Sequence, residues 1–494
     1  MLNNSKSNIF KIILTFFLLN SCAVYSKSQE DTKTDSIENR IFRPGFKDFS
    51  ISAAEVVGLN VGVHLFDRFA LKADYAQVGL YNIKFNLKNG FVWDNDHFST
   101  NLFWHPYHGS LYFTAARTNG LNFWQSVPYA VSGSLLWEYF GENEQPSIND
   151  LITTPIGGMA VGEISYRISN LLLDESTVGF ERFARELLAG LASPMNFINR
   201  LMRGDVGRRK AAANGASKIP FLLHLSASNR SMTDLDDNRS NFNLLLSSQM
   251  VYGEHFINDV RRPYDFFMVN FDCNIAGNQP LISSANIIGL LWGQEYHKNK
   301  IDFLAGVFQH FDYYDSSPLK KGARQPFEFA EAASFGGGVM FAKQSKYSNN
   351  QYFIGSAYAN IVILGASESD YYNVDNRNYN LGSGYSIKLN WMYVFSKRWH
   401  SGISINHYHL FTNNHQDSKT AEYDDSQHLS LKGNEGNASL SMISLDVNFI
   451  ATKHLKISAQ QRFYTRSTHY KYFPDIEKNA TENRLSLTYM LFNK

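Results

Sequence analysis

From about Phe221 to Phe492 apolar side chains recur at every second position, and this rhythm constrains the fold more than any other feature of the chain. Tyr385, Ile387, Leu389, Trp391, Tyr393 and Phe395 alternate with Ser386, Lys388, Asn390 and Met392. Ile443, Leu445, Val447 and Phe449 alternate with Ser444, Asp446 and Asn448, and Leu455, Ile457 and Ala459 with Lys456, Ser458 and Gln460. Phe267, Val269, Phe271, Cys273 and Ile275 do the same, as do Leu485, Leu487, Tyr489 and Leu491. Side chains of a strand point to opposite faces in turn, so each segment predicts a strand with one apolar and one polar face. A soluble β-sandwich also alternates. The connections decide against it. About twelve strand candidates are separated by connections that alternate short and long, as in a membrane barrel with short periplasmic turns and long outer loops. The short ones are His297–Lys300, Lys343–Asn350, Ser396–Trp399 and Thr452–His454. The long ones are Asn229–Asn241, Asp312–Gln325, Ser367–Tyr379, Asn413–Glu435 and Thr468–Asn483. Gly253–Tyr264 breaks the parity by being long where a short turn is due. The last strand carries its final aromatic, Phe492, two residues before Lys494.

Composition agrees with a barrel in the outer membrane of a Gram-negative envelope. Aromatic residues make up 15% of the chain, the load expected of interfacial girdles. The net charge of +1 offers neither the basic excess of a nucleic-acid binder nor an acidic solvating tail. Expected partners are therefore outer-membrane lipids and the barrel-assembly machinery, with no nucleic acid. Lys6 and Lys11 followed by the short apolar run Ile12–Leu19 read as a signal peptide over residues 1–26. Two cleavage readings compete: small residues at Val24-Tyr25-Ser26, and Leu19-Asn20-Ser21-Cys22, which resembles a lipobox that would lipidate Cys22. The first is preferred because a barrel needs no lipid anchor. Residues 27–44 read as a disordered lead-in. No later run of about 18 apolar residues suggests a spanning helix.

Residues 45–205 do not alternate and predict a mainly helical domain, periplasmic or plugging the barrel, so the fold class is α+β multidomain. Ser147 or Asn149 suits a helix cap ahead of an apolar stretch. Gly157, Gly158 and Gly162 leave room for a second helix to approach. Val178–Leu191 reads as an amphipathic helix with Phe180, Phe183, Leu187 and Leu191 on one face. Lys84–Leu87 alternates weakly, as a short hairpin or an edge would. Arg200, Arg203, Arg208, Arg209 and Lys210 form a solvated basic run, with 206–218 as linker to the barrel at 219–494.

Within the helical part lies a distinctive series: His105-Pro106-Tyr107-His108-Gly109-Ser110, Gly133-Ser134-Leu135-Leu136-Trp137-Glu138-Tyr139-Phe140-Gly141-Glu142, Pro146-Ser147-Ile148-Asn149-Asp150, and Thr154-Pro155-Ile156-Gly157-Gly158 with Gly162-Glu163. Over roughly residues 80 to 190 it resembles the family called domain of unknown function 3943, which implies an envelope protein and supplies no catalytic residues.

His105, His108, Glu138, Glu142, Asp150 and Glu163 are the acid/base candidates, and His105, His108, Glu138 and Glu163 the candidates for a divalent metal. The spacing matches no metal signature, since His-x-x-His stands without His-Glu-x-x-His. The structural reading is preferred: these groups satisfy each other and the helix ends, with Glu163 and Arg167 at ion-pair spacing. No cofactor is implied. On the barrel, His407 and His409 share a face that Ser404 does not, so no serine hydrolase arrangement forms. The preferred function is a pore, transporter or structural envelope component with mixed lumen charge from Lys388, Asp446, Lys456 and Arg462. The alternatives are an envelope enzyme acting on lipid or glycan through the His105/His108/Glu138 block, and a lipid-anchored surface-binding protein.

Overall fold

The computed structural model describes residues 46–93, 96–208, 220–236, 239–253, 262–298, 301–319, 324–345, 351–372, 377–412 and 434–493. The signal peptide, the lead-in, Cys22 and most of the 206–218 linker lie outside the described residues. Seven helices are described: α1 (Phe46–Phe66), α2 (Leu80–Asn89), α3 (His105–Thr118), α4 (Phe123–Phe140), α5 (Ile148–Leu172), α6 (Gly179–Ala192) and α7 (Pro194–Met202). Local chemistry fixes their starts. Asn122 accepts from the Gln125 amide while Gln125 reaches back to the Asn122 amide, a reciprocal cap for α4. Ser147 Oγ accepts from the Asp150 amide and caps α5. A single π turn, Thr100–Trp104, leads into α3. Lys84–Leu87, expected as a hairpin or edge, lies inside α2.

Twelve antiparallel strands follow: β1 (Phe221–Asp234), β2 (Arg239–Tyr252), β3 (Phe267–Ala276), β4 (Ile282–Lys298), β5 (Ile301–Asp315), β6 (Glu328–Gln344), β7 (Tyr352–Glu368), β8 (Tyr379–Val394), β9 (Trp399–Thr412), β10 (Gly436–Ile450), β11 (Leu455–Tyr470) and β12 (Ile476–Asn493). Each pairs with its sequence neighbour, and β1 pairs with β12 from Phe221↔Asn493 to Asp234↔Ala480, closing the barrel. The two-residue rhythm thus predicts the architecture correctly.

Two connections read as long are strand instead. β1 continues through Asp234, and β12 begins at Ile476. Neither face of these extensions is consistently apolar, so they carry no clear alternation, yet they stay paired through Thr465–Asn479, Thr233–Ser240 and Lys478–Asp234 contacts. Register shifts fall between neighbours from β2 to β8. The pairings of β8 with β9, through β12, and on to β1 and β2 run without one.

Contacts across the barrel identify its inner face. Asp312 on β5 meets Lys388 on β8 and Tyr408 on β9, and Arg484 on β12 meets Asp272 on β3. The opposite face is outward. On β10 and β12 it exposes Ile443, Leu445, Val447, Leu485 and Leu487. Cys273 shares this outward face by its pairing with Leu246, as its place in the alternation predicts. From β3 to β8 part of this face is covered, while Trp292, Ile361, Tyr385 and Ile387 stay exposed. Phe271, Ile287, Phe311, Tyr313, Ala330 and Leu364 pack in one apolar cluster with Leu102, Phe113, Phe123, Met159 and Ala160 of the helices.

The helices therefore rest on the outer wall, which corrects the expectation of a plug inside the barrel. An outward apolar side chain looks the same in sequence whether lipid or a helix covers it. The wall here is also lined with alanines, Ala330, Ala332, Ala333 and Ala366, which leave space for α5. The polar outward residue Gln309 accepts from Tyr264 Oη at 2.9 Å and donates to the Ile156 carbonyl of α5 at 2.7 Å. Gln309→Leu leaves both partners buried and unsatisfied, an expected loss of about 1–3 kcal/mol. A urea midpoint unchanged from wild type would remove Gln309 from the docking contact.

Candidate functional site

The polar interior of the bundle starts from glycine. A Cβ on Gly109 would lie 1.8 Å from the Thr154 carbonyl oxygen, so α3 and α5 touch backbone to backbone. Gly157 seats Pro106 and Gly162 seats Phe113. This contact brings Arg117 of α3 against Glu163 of α5, with Nε 2.6 Å from Oε2 and Nη2 2.9 Å from Oε1. Arg167, one turn along α5, adds an Nε–Oε1 bond of 2.8 Å, the ion pair expected from the i, i+4 spacing. Arg167 then reaches Asp265 Oδ1 at 3.2 Å and the Pro263 carbonyl at 2.9 Å, just ahead of β3. Glu163 is fully buried and shared by two guanidiniums. That is an anchor between bundle and barrel, not a donor set for a cation.

The other candidates gather toward the opposite end of the bundle. His105 Nε2 lies 3.6 Å from Asp150 Oδ1 and 3.8 Å from Asp96 Oδ2. His108 Nε2 is 3.0 Å from Tyr112 Oη, which donates to Asn60 Oδ1 at 2.8 Å. Glu138 Oε2 accepts from the Ser147 amide at 2.6 Å and so supports the α5 cap. Glu142 Oε1 accepts from Trp137 Nε1 at 2.5 Å. The fold thus joins His105 to Asp150, gives Glu138 and Glu142 positions at helix ends, and keeps Glu163 with its arginines. Among the described residues no group of three His, Cys, Asp or Glu side chains is placed to hold a metal ion.

Of the basic run, Arg200 is largely withdrawn from solvent, while Arg203 stays exposed but is held by hydrogen bonds. Arg200 pairs with Glu175 and Glu186, and Arg203 donates to the Thr118 carbonyl at 2.9 Å, so both tie α7 to the bundle. In the α5–α6 turn, Ser176 donates to Asp174 from hydroxyl and amide and holds that carboxyl below the usual carboxylate range.

Sequence reasoning did not anticipate the ionic lattices that cross the barrel lumen. Lys388 Nζ sits 2.5 Å from Asp312 Oδ2 and 2.9 Å from Glu331 Oε2, with His310 Nδ1 at 3.2 Å. A second lattice joins Arg230 to Glu482 at 2.9 Å and Arg484 to Asp272 at 2.8 Å, with Arg484 also against Glu482. A third, at the loop end, clamps Asp370 between Arg466 and Arg324. The signal available in sequence was the charge at inward positions. Choosing partners required the register.

Residues 90–195 match the family described as Domain of unknown function (DUF3943). The DUF3943 segment contains the Arg117–Glu163–Arg167 anchor and the His105–Asp150 pair, and the barrel lies beyond it. No curated protein matches the chain. Among solved structures, NanC porin is 8% identical, with 53% of this chain and 98% of that one covered and a TM-score of 0.27. The toluene transporter TodX of Pseudomonas putida is 10% identical, with 56% and 90% covered and a TM-score of 0.22. The outer membrane channel DcaP of Acinetobacter baumannii is 9% identical, with 57% and 99% covered and a TM-score of 0.23. Similarity this slight carries no argument about substrate.

Proposed function

We propose that this protein is an outer-membrane barrel working as a narrow channel for small polar solutes, closed at rest by its own lumen side chains. Support for the membrane comes from a ladder with no free edge, an apolar outward face and a polar inward one. The end bearing Phe221 and Asn493 has mostly brief connections (299–300, 395–398, 451–454), which fits the periplasmic side. The single observation carrying the closed-channel reading is Lys388, buried and bridging Asp312 and Glu331 across the lumen. Insertion by the barrel-assembly machinery is part of the proposal.

The test is planar-bilayer conductance. Wild type is expected to show small, infrequent steps. Lys388→Met removes the bridging cation and leaves two facing carboxylates, so larger and cation-selective steps are expected. If both proteins are silent, the barrel has a structural role instead.

A second reading, an envelope enzyme acting on lipid or glycan, is favoured by the proximity of the His105 imidazole to the Asp150 carboxylate, 3.6 Å apart in a buried setting. His105→Gln would remove such an activity and leave conductance unchanged. The third, a lipid-anchored protein, predicts labelled fatty acid on Cys22.

A further inference from the structure

The geometry points to a helical bundle that sits in the bilayer itself, flanking the barrel, with its outer surface solvated by phospholipid acyl chains. The inference rests on the outer-membrane reading of the barrel. Its first support is position. Contacts between bundle and wall run the height of the barrel. At the loop end Tyr379 Oη accepts from Asn101 Nδ2 at 2.8 Å, and Tyr379 also donates to the Asp96 carbonyl at 2.5 Å. Midway, Ile156 meets Gln309, and at the other end Arg167 meets Asp265. From Ile148 to Leu172, α5 covers about 37 Å at 1.5 Å per residue, enough to cross a hydrocarbon core of about 30 Å. A domain attached at those three levels lies at the depth of the barrel's own apolar belt.

The second support is what the bundle shows on the side away from the wall. The span Asp48–Leu71 is long and apolar enough to cross a membrane, and 11% of its apolar window is buried. No unbroken run of about 18 apolar residues is present, as expected from sequence, because Glu55, Asn60 and His64 interrupt it, yet the helix as a whole stays apolar. Its exposed residues include Val57, Val61, Leu65, Phe66 and Phe69. Exposed charge sits at the bundle's two ends. Lys72, Asp74, Lys84 and Lys88 lie beyond or near the C-terminal end of α1, and Glu181 and Arg185 lie beyond the C-terminal end of α5.

The third support is α6, whose amphipathic face is reversed relative to a helix in water. Phe180 is 82% exposed, Phe183 62% and Leu191 71%. Arg182 and Glu186, on the other side, are buried and paired, with Arg200 joining Glu186. The apolar stripe predicted from sequence is present but faces out of the protein. At a bilayer interface this orientation satisfies both faces, the charged one against the bundle and the aromatic one among acyl chains. The interior fits the same solvent: glycine-mediated contact between α3 and α5, and buried charges neutralised in place.

Site-directed nitroxides on the full chain in phosphatidylethanolamine/phosphatidylglycerol vesicles test this. In a Cys22→Ser, Cys273→Ser background, single cysteines replace Val61, Phe69, Phe180 and Leu191. Leu485 on the bare wall and Lys471 in a loop serve as references. Power saturation is expected to show the four helical sites like Leu485, relaxed by oxygen and shielded from aqueous nickel chelate, with Lys471 the reverse. Nickel-accessible helical sites beside a shielded Leu485 would place the bundle in water and overturn the inference alone. A nickel-accessible Leu485 would bring down the barrel's membrane assignment with it. Dipolar broadening at Leu191 would assign the α6 face to a second copy of the chain instead of lipid.

Discussion

Glu163→Ala is expected to cost about 3–5 kcal/mol and to abolish the folded, heat-modifiable form of the protein on gels. The residue is fully buried, and its two oxygens hold Arg117 and Arg167. Removing it leaves two guanidiniums in the core of the bundle. Arg167 keeps Asp265 and the Pro263 carbonyl, and Arg117 keeps the Leu121 carbonyl and the face of Tyr166, but both lose their shared carboxylate. Glu163→Gln retains acceptor geometry without charge and should fall between. The triple change Arg117→Met, Glu163→Leu, Arg167→Met removes every charge together and is expected to recover a large part of the loss, because the penalty comes from leaving charge unpaired. Equal urea midpoints for wild type and Glu163→Ala would show that the site is wetter than its burial indicates.

Gly109→Val should be comparably disruptive for a steric reason. The added Cβ meets the Thr154 carbonyl at 1.8 Å and its carbon at 2.6 Å, and both are backbone atoms of α5 that cannot rotate away. The helices must separate, which opens the Arg117–Glu163 contact a little over two turns away. Overpacking a core commonly costs about 1–3 kcal/mol. Here the strained atoms are backbone, so the upper end or beyond is expected. Limited proteolysis should then cut within residues 96–208 while the barrel survives. Gly62→Ala in α1 is the control: its Cβ meets nothing within 4 Å, and exchanging glycine for alanine in a helix should add roughly 0.5–1 kcal/mol. Were Gly109→Val to melt with wild type, the close α3–α5 crossing would be wrong.

The barrel was legible in sequence because two different solvents act on its strands. Lys388 between Ile387 and Leu389 records a wet inside and an oily outside, and so does Asp446 between Leu445 and Val447. Where neither face is consistently apolar, as from Ile476 to Thr481, the record vanishes and strand reads as loop. The helix start at Ser147 was legible for a local reason, a hydroxyl within reach of an orphan amide. The place of the bundle was not, since Phe271 and Ile287 look the same in sequence under lipid or under a helix. Of the site candidates, the spacing of Glu163 and Arg167 told their pairing. His105 and Asp150 meet through folding across 45 positions of sequence, which no short pattern encodes.

The uneven distribution of register shifts makes the barrel wall a cylinder of two textures. Its stretch from β8 through β12 to β2 is a regular hydrogen-bond lattice, and its stretch from β2 to β8 is stitched with irregularities. The helices lean against the irregular half, at its weakest seams. They act there as a buttress, so amide exchange in β4–β7 should depend on the bundle being in place, while exchange in β10–β12 should ignore it.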